Sequence, residues 1–309
     1  MFTIKFAAAA IGVPEATLRT WERRYGVVAP GRTEGGYRIY DPAALARLST
    51  MRRLVDAGWS PAAAAAAIRN RDVPVDGPSP GNVAESPPDA GMVTICRRDF
   101  LNAAVRLDAQ GLDTSLDRGM SLGSFEHAVD LWLMPTLVAL GEGWARGEVD
   151  VAAEHIASHA VLRRLSAAFE AAGSRSRGPK VVVGLPSGSH HELGGLAFAT
   201  AARRTGLDVL YLGPNVPQSS WLTAVDGHRA DAAVLCVVTP ADHRVAADVA
   251  RSLKVHHPGL LVASGGAHGS SLGADVHELS FLIGDAVQEL DRLLHGVGED
   301  IDALGPVDD

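Results

Sequence analysis

The stretch LPSGSHHELGGLAFATA, residues 185–201, holds a spacing that could bind a metal-centred ligand. His191 offers an imidazole that can coordinate a metal through one nitrogen, while its other nitrogen needs an orienting acceptor. Ser189, His190 and Glu192 stand beside it, and Gly194 and Gly195 let a bulky ligand approach the backbone. By itself, one loop histidine in a chain of 12 carries little weight. A second group is WARGEVDVAAEHIASH, in which Trp144 precedes Glu154 and His155. The plain reading makes Trp144 bundle core and Glu154 a helix-start charge; the functional one gives a ligand an aromatic face and an acceptor. His155 and His159 lie one helical turn apart and could also pair on a metal. A third group is PEATLRTWERRYG, which projects Arg19, Arg23 and Arg24 with Trp21 and Tyr25 interleaved. Arginines fork to guanine edges or phosphates, and aromatics pack on sugars.

The elements that would position these groups follow from period and punctuation. Pro14 and Glu15 suit a helix start. Beyond the arginine helix, GRTEGGYRIYD reads as a hairpin turning at Gly35-Gly36, with Arg32, Tyr37, Arg38 and Tyr40 on its arms. Residues 1–73 thus form a helix followed by a basic wing, a winged helix-turn-helix. Residues 74–91, PVDGPSPGNVAESPPDAG, bury nothing and read as a flexible linker. Residues 92–175 carry apolar positions at helical spacing and predict a four-helix bundle. Residues 176–300 alternate short apolar runs (KVVVGLP, DVLYLGP, AAVLCVV, LLVASGG) with helical stretches, the pattern of a doubly wound, Rossmann-like parallel sheet. Such sheets bind ligands beyond the strand C-termini, which selects the loops at 186–195, 239–243 and 264–272. The fold class is therefore multidomain, α and α/β.

The 309 residues suit two or three domains. The net charge of −8 argues against a nucleic-acid partner when taken whole. Its distribution does not: residues 1–76 hold 11 Lys/Arg against 7 Asp/Glu, and the remainder 17 against 29. The two cysteines, Cys96 and Cys236, form no CxxC pattern, so neither a disulfide framework nor a cysteine zinc site is expected, and a reducing cytoplasm fits. No apolar run spans a bilayer, and the N-terminus lacks the basic start of a signal peptide.

TLRTWERRYG…RTEGGYRIYD resembles the MerR family signature over nearly all of residues 1–70, and ALARLSTMRRLVDAGWSPAAAAAAI is similar to that family's next helix pair. The resemblance implies a dimeric reader of palindromic operator DNA through Thr17, Arg19, Trp21, Arg23, Arg24, Tyr25, Arg32, Tyr37 and Arg38. The long dimerising helix usual in that family is missing here, so assembly would fall to the C-terminal half.

The His191 loop resembles the D/E-x-H-x-x-G motif of cobalamin-binding domains, which implies His191 as lower axial cobalt ligand. Ser189 replaces the usual acid. CVVT at 236–239 stands where a Ser-x-Leu/Thr stretch is expected, with Cys236 in place of serine and Val238 and Thr239 following; Gly265-Gly266 matches the pair lining the nucleotide-tail pocket. The W-x9-E-H spacing is similar to that of the CarH/LitR family of light-responsive regulators, which implies Trp144, Glu154 and His155 over the upper corrin face, where the adenosyl group sits. That resemblance implies adenosylcobalamin as cofactor, a homo-oligomer (dimer or tetramer) on operator DNA in the dark, and dissociation after photolysis of the Co–C bond, with carotenoid genes as targets and no enzymatic activity. In the best-known relatives a histidine follows the motif tryptophan and takes the cobalt after photolysis; Ala145 stands here. Some related photoreceptors also hold a bilin, of which this sequence gives no sign. Two alternatives remain open at this point: a corrinoid methyl-transfer protein and a light-independent cobalamin-sensing regulator.

Overall fold

The computed structural model describes residues 2–11, 13–32, 38–40, 42–56, 65, 90–173 and 178–302, in two compact units, Met1–Pro87 and Pro88–Asp309. Tyr37, the Gly35-Gly36 turn and all but the end of the expected linker lie outside the described residues.

In the first unit, β1 (Phe2–Thr3) leads into α1 (Ile4–Ile11) and α2 (Glu15–Thr20), which continues in a wide π-turn, Trp21–Tyr25. Gly26 ends it in the left-handed conformation at φ 59°, with its N–H bonded to the Glu22 carbonyl, a helix stop that glycine takes without a Cβ penalty. Strands β2 (Gly31–Arg32) and β3 (Arg38–Tyr40) pair antiparallel, and β1 closes the other edge of β3. Helix α3 (Pro42–Asp56) follows. Leu18, Trp21, Val27, Tyr40, Leu48 and Met51 form its core.

The second unit opens with α4 (Ala90–Val105), so Ala90 and Gly91, expected in the linker, form its first turn. It continues with α5 (Ala109–Met120), α6 (Phe125–Ala128), a π-turn (Val129–Leu133), α7 (Met134–Ala145) and α8 (Val151–Ala171). Asp108, Ser124 and Asp150 cap α5, α6 and α8 with side-chain oxygens that accept backbone N–H groups. The π-turn lies just ahead of Pro135, whose ring leaves no N–H to donate, and it carries one helical axis from α6 into α7. These segments pack round Trp132, which meets Phe100 edge-on.

The sheet comprises β4 (Lys180–Pro186), β5 (Asp208–Val216), β6 (Ala232–Cys236), β7 (Leu261–Gly265) and β8 (His277–Glu278). Its order is β5-β4-β6-β7-β8, parallel throughout. Helices α9 (Leu193–Arg204) and α12 (Ile283–Asp302) share one core with the bundle; α10 (Gln218–His228) and α11 (Asp242–His256) pack on the opposite face. Both faces are thus covered, which is why its strands read as continuous apolar runs. The chain passes from β4 out to β5 and back across to β6, so the order reverses at β4, where a doubly wound sheet opens a crevice.

Candidate functional site

The loop after β4 carries His191 to that crevice. His190 and His191 are exposed, Glu192 and Gly194 half-buried, and Ser189 is buried at 1%. The loop is fastened from β5 by Asn215, itself in the left-handed region at φ 56°. Its Oδ1 accepts from the Gly188 N–H at 2.8 Å, and its own N–H donates to the Ser189 carbonyl at 2.9 Å. From the β6 side comes Asp242, which accepts the N–H groups of Val238 at 3.1 Å and Thr239 at 2.8 Å on one oxygen. Burial pushes its carboxyl up, but the Thr239 N–H, the Ser189 and Thr239 hydroxyls and the Val238 N–H outweigh this and hold it below its ordinary value. Ser189 Oγ is shut from solvent, and the Asp242 carboxylate that its hydroxyl helps to lower is the one polar group shown to interact with it among the described residues.

Next to this loop lie the residues expected round a nucleotide tail. A Cβ on Gly195 would meet Leu185 at 3.1 Å and Cys236 Sγ at 3.2 Å, so this glycine serves close helix-to-sheet packing. Burial pushes the Cys236 thiol up to about 12, which makes it a small apolar group and no nucleophile. Val238 and Thr239 are half-buried. Gly266 sits at φ 98°, and a Cβ there would come within 2.6 Å of the Val237 carbonyl oxygen. Together with the Val237 N–H to Gly265 O bond, this closes the β7 loop onto the β6 loop. Tyr211 donates to the Glu192 carbonyl at 3.3 Å, and burial first of all raises its phenol. It borders a cleft of about 360 Å³ with Phe169, Glu170 and Leu196.

The turn between α7 and α8 places the bundle group. The N–H groups of Glu148 and Val149 donate to Gly143 O, and that of Gly147 to Trp144 O. Trp144 is 53% exposed, a large apolar ring turned to solvent at one end of the bundle. Glu154 is half-buried; its Oε1 accepts from Ser158 Oγ at 2.5 Å, and its Oε2 lies 2.8 Å from His155 Nδ1. His155 and His159 have ring centroids 6.4 Å apart. Among the described residues no group of three or more His, Cys, Asp or Glu side chains forms a metal cluster.

Bundle and sheet are joined by a carboxylate. Asp130, in the second π-turn, accepts the N–H groups of Ile283 at 2.8 Å and Gly284 at 2.9 Å, at the N-terminus of α12. Burial pushes its carboxyl up to about 7, against the pull of those two N–H groups. Nearby, Arg204 pairs with Glu126 at 2.9 Å and lies over the Phe125 ring.

In the first unit, Arg23 and Arg24 are exposed on the π-turn, with Arg24 over the Tyr25 ring. Arg19 is exposed and pairs with Glu15. Thr17 and Tyr25 are half-buried and Arg32 is exposed on β2. Two expectations change. Trp21 is only 4% exposed: it lies three residues after Leu18, on the same helix face, and both enter the core, so its ring is not free to pack on a sugar. Arg38 does not project freely either; its Nε sits 2.8 and 3.1 Å from the Glu22 carboxylate oxygens and locks the wing strand to the helix. The Tyr40 phenol closes the same group, and burial, then Glu22, pushes it up to about 12.

Asn215, Asp242, Asp130, Tyr211 and Glu22 were not selected from the sequence. Asp130, Asn215, Tyr211 and Glu22 bond residues 16 to 154 positions away, which no local spacing announces; Asp242 bonds locally, to Val238 and Thr239, inside the 239–243 loop.

Fold and site together define a helix-turn-helix module joined to a bundle-and-sheet ligand domain. Residues 2–71 match the MerR HTH family regulatory protein description, and residues 96–168 and 179–290 each match a B12 binding domain. The chain is 31% identical to the HTH-type transcriptional repressor CarH of Myxococcus xanthus, over 94% of this chain and 97% of that one. It is 30% identical to the repressor CarA of the same organism, over 76% of each. The fold of the second unit is shared with the monomethylamine corrinoid protein of Methanosarcina barkeri, at a TM-score of 0.53 and 14% identity over 64% of this chain and 96% of that one. The chain belongs to the MerR-type, B12-binding family of CarH and CarA, both named as HTH-type transcriptional repressors.

Proposed function

We propose that the chain is a light-responsive transcriptional regulator, acting as a repressor, that holds adenosylcobalamin between its bundle and its sheet. The observation that carries this reading is the exposed His191 imidazole, set over the β4 switch point on a loop fastened to β5 by Asn215. The residues suit a corrinoid: an exposed imidazole at the crevice, a buried hydroxyl two residues before it that is backed by a carboxylate, and an exposed Trp144 with Glu154 beyond. When bound, adenosylcobalamin supplies a Co–C bond that light can break.

The chain's own residues divide the work. His191 would hold the cobalt from below. Trp144 would pack against the adenosyl group, and Glu154 would accept its hydrogens. Ala145 offers no imidazole, so it cannot take the upper position after illumination. Arg19, Arg23 and Arg24 would engage operator DNA in an oligomer that doubles the contacts. For light to switch binding, the cofactor must favour one arrangement of the protein by its differential affinity. The helix-turn-helix module and the names of the relatives favour this over methyl transfer, for which only the shared fold speaks.

The test is a gel shift on DNA upstream of its own gene, with size-exclusion chromatography, using protein loaded with adenosylcobalamin in the dark and after green light. Retardation in the dark that is lost with a fall in oligomer size supports the photoreceptor. Cofactor-dependent retardation indifferent to light makes it a light-independent sensor, and no retardation in either state overturns both regulator readings.

A further inference from the structure

The family motif places an acid two residues before the histidine, and here that position is Ser189. The structure supplies an acid from elsewhere. Strand β6 pairs with β4, with Gly184 opposite Leu235, so the loops leaving the two strands run side by side. Asp242 stands on the β6 side, buried at 5%, and faces the Ser189 hydroxyl. Both backbone N–H bonds to Asp242 end on Oδ2, which leaves Oδ1 for hydroxyl partners. Ser189 Oγ is the complement: it is buried, its hydroxyl lowers the Asp242 carboxyl, and no donor among the described residues uses its lone pairs, which a buried oxygen leaves idle at a cost.

We propose that Asp242 is a positioning residue for His191, acting through the Ser189 hydroxyl in place of the missing motif acid. The inference rests on His191 being the cobalt ligand. An imidazole bound to metal through one nitrogen presents an N–H at the other, and that N–H needs an acceptor. Ser189 provides a lone pair for it only if its own hydrogen is directed elsewhere. The Asp242 carboxylate takes that hydrogen, and hydrogen bonds in series strengthen one another. Carboxylate and hydroxyl have thus exchanged places relative to the motif: the hydroxyl lies on the histidine loop and the charge on the neighbouring one. Asn215 holds the Ser189 backbone from the β5 side, which fixes the origin of the hydroxyl.

The experiment is a titration of the full chain with hydroxocobalamin, followed by absorbance for histidine ligation and by calorimetry for affinity. The variants are His191→Ala, Ser189→Ala, Asp242→Asn, Ser189→Ala with Asp242→Asn, and Ser189→Asp with Asp242→Asn. Asparagine keeps an oxygen for the two backbone N–H groups while withdrawing the charge, and ligand-free melting curves check the fold. Each of Ser189→Ala and Asp242→Asn is expected to weaken binding by about 10–100-fold and to lower the histidine-ligated fraction. The double variant should lose no more than either single one, and the variant carrying Ser189→Asp with Asp242→Asn should regain affinity, which a purely structural role for Asp242 would not allow. Unchanged affinity and spectrum in Asp242→Asn, or additive losses in the double variant, overturn the inference while a spectral loss in His191→Ala leaves the ligand assignment standing. If His191→Ala also keeps its spectrum, the ligand assignment fails and this inference fails with it.

Discussion

Replacing Asp130 by alanine tests the polar tie between bundle and sheet, because the folded carboxyl titrates far from its unfolded value. Unfolded, it releases its proton near 3.8; folded, near 7, as burial outweighs the N–H groups of Gly284 and Ile283, with Asp285 and Glu126 adding to the rise. Between those values the folded state holds a proton that the unfolded state has lost. Stability contributed by this group therefore falls as pH rises from about 4 to about 7 and is level above. From pH 8 down to 5.5 the window covers roughly one and a half units below the folded value, about 2 kcal/mol at 1.36 kcal/mol per unit. Asp130 keeps some contact with solvent, so that figure is an upper bound. The assay is urea unfolding of the full chain at pH 5.5 and pH 8, wild type beside Asp130→Ala. The variant leaves two N–H groups at the start of α12 without their acceptor and is less stable at both pH values. The gap between the proteins should be wider at pH 5.5. Equal gaps at the two pH values would refute the reasoning, since the histidines and other acids common to both proteins cancel in the difference.

Gly119→Ala should lower stability by about 1–3 kcal/mol or more, read by thermal melting, because its Cβ would lie 2.3 Å from the enclosed Trp132 ring. Gly266→Ala meets both a left-handed backbone and the Val237 carbonyl at 2.6 Å; corrinoid affinity should fall together with the melting temperature. Arg24→Ala should reduce the salt slope of operator binding by about 1, measured by fluorescence anisotropy across salt concentrations. Arg38→Ala, whose partner is Glu22, should instead loosen the wing and weaken binding with little change in that slope.

The strands of the sheet were legible because each is a continuous apolar run buried on two faces: KVVVGLP is β4 from Lys180 to Pro186, and LLVASGG contains β7. Strand β8 escaped because two residues, His277 and Glu278, hold no period. Both π-turns escaped for a related reason, since one extra residue in a turn leaves the apolar spacing nearly intact. The burial of Trp21 could have been read from its place on the Leu18 face, but the arginines around it drew the reading toward DNA. The His191 loop was legible as a constellation. Its supports were not, because Asn215 and Asp242 are brought to it only by the pairing of β4 with β5 and β6.

The Asn215 fastening decides where motion can arise. A segment that leaves an inner strand and is moored by two hydrogen bonds to the strand beside it has little room to retreat when its ligand changes. Whatever displacement follows must then be taken up by the helices overhead, whose hold on the sheet includes one buried acid at the foot of the last helix.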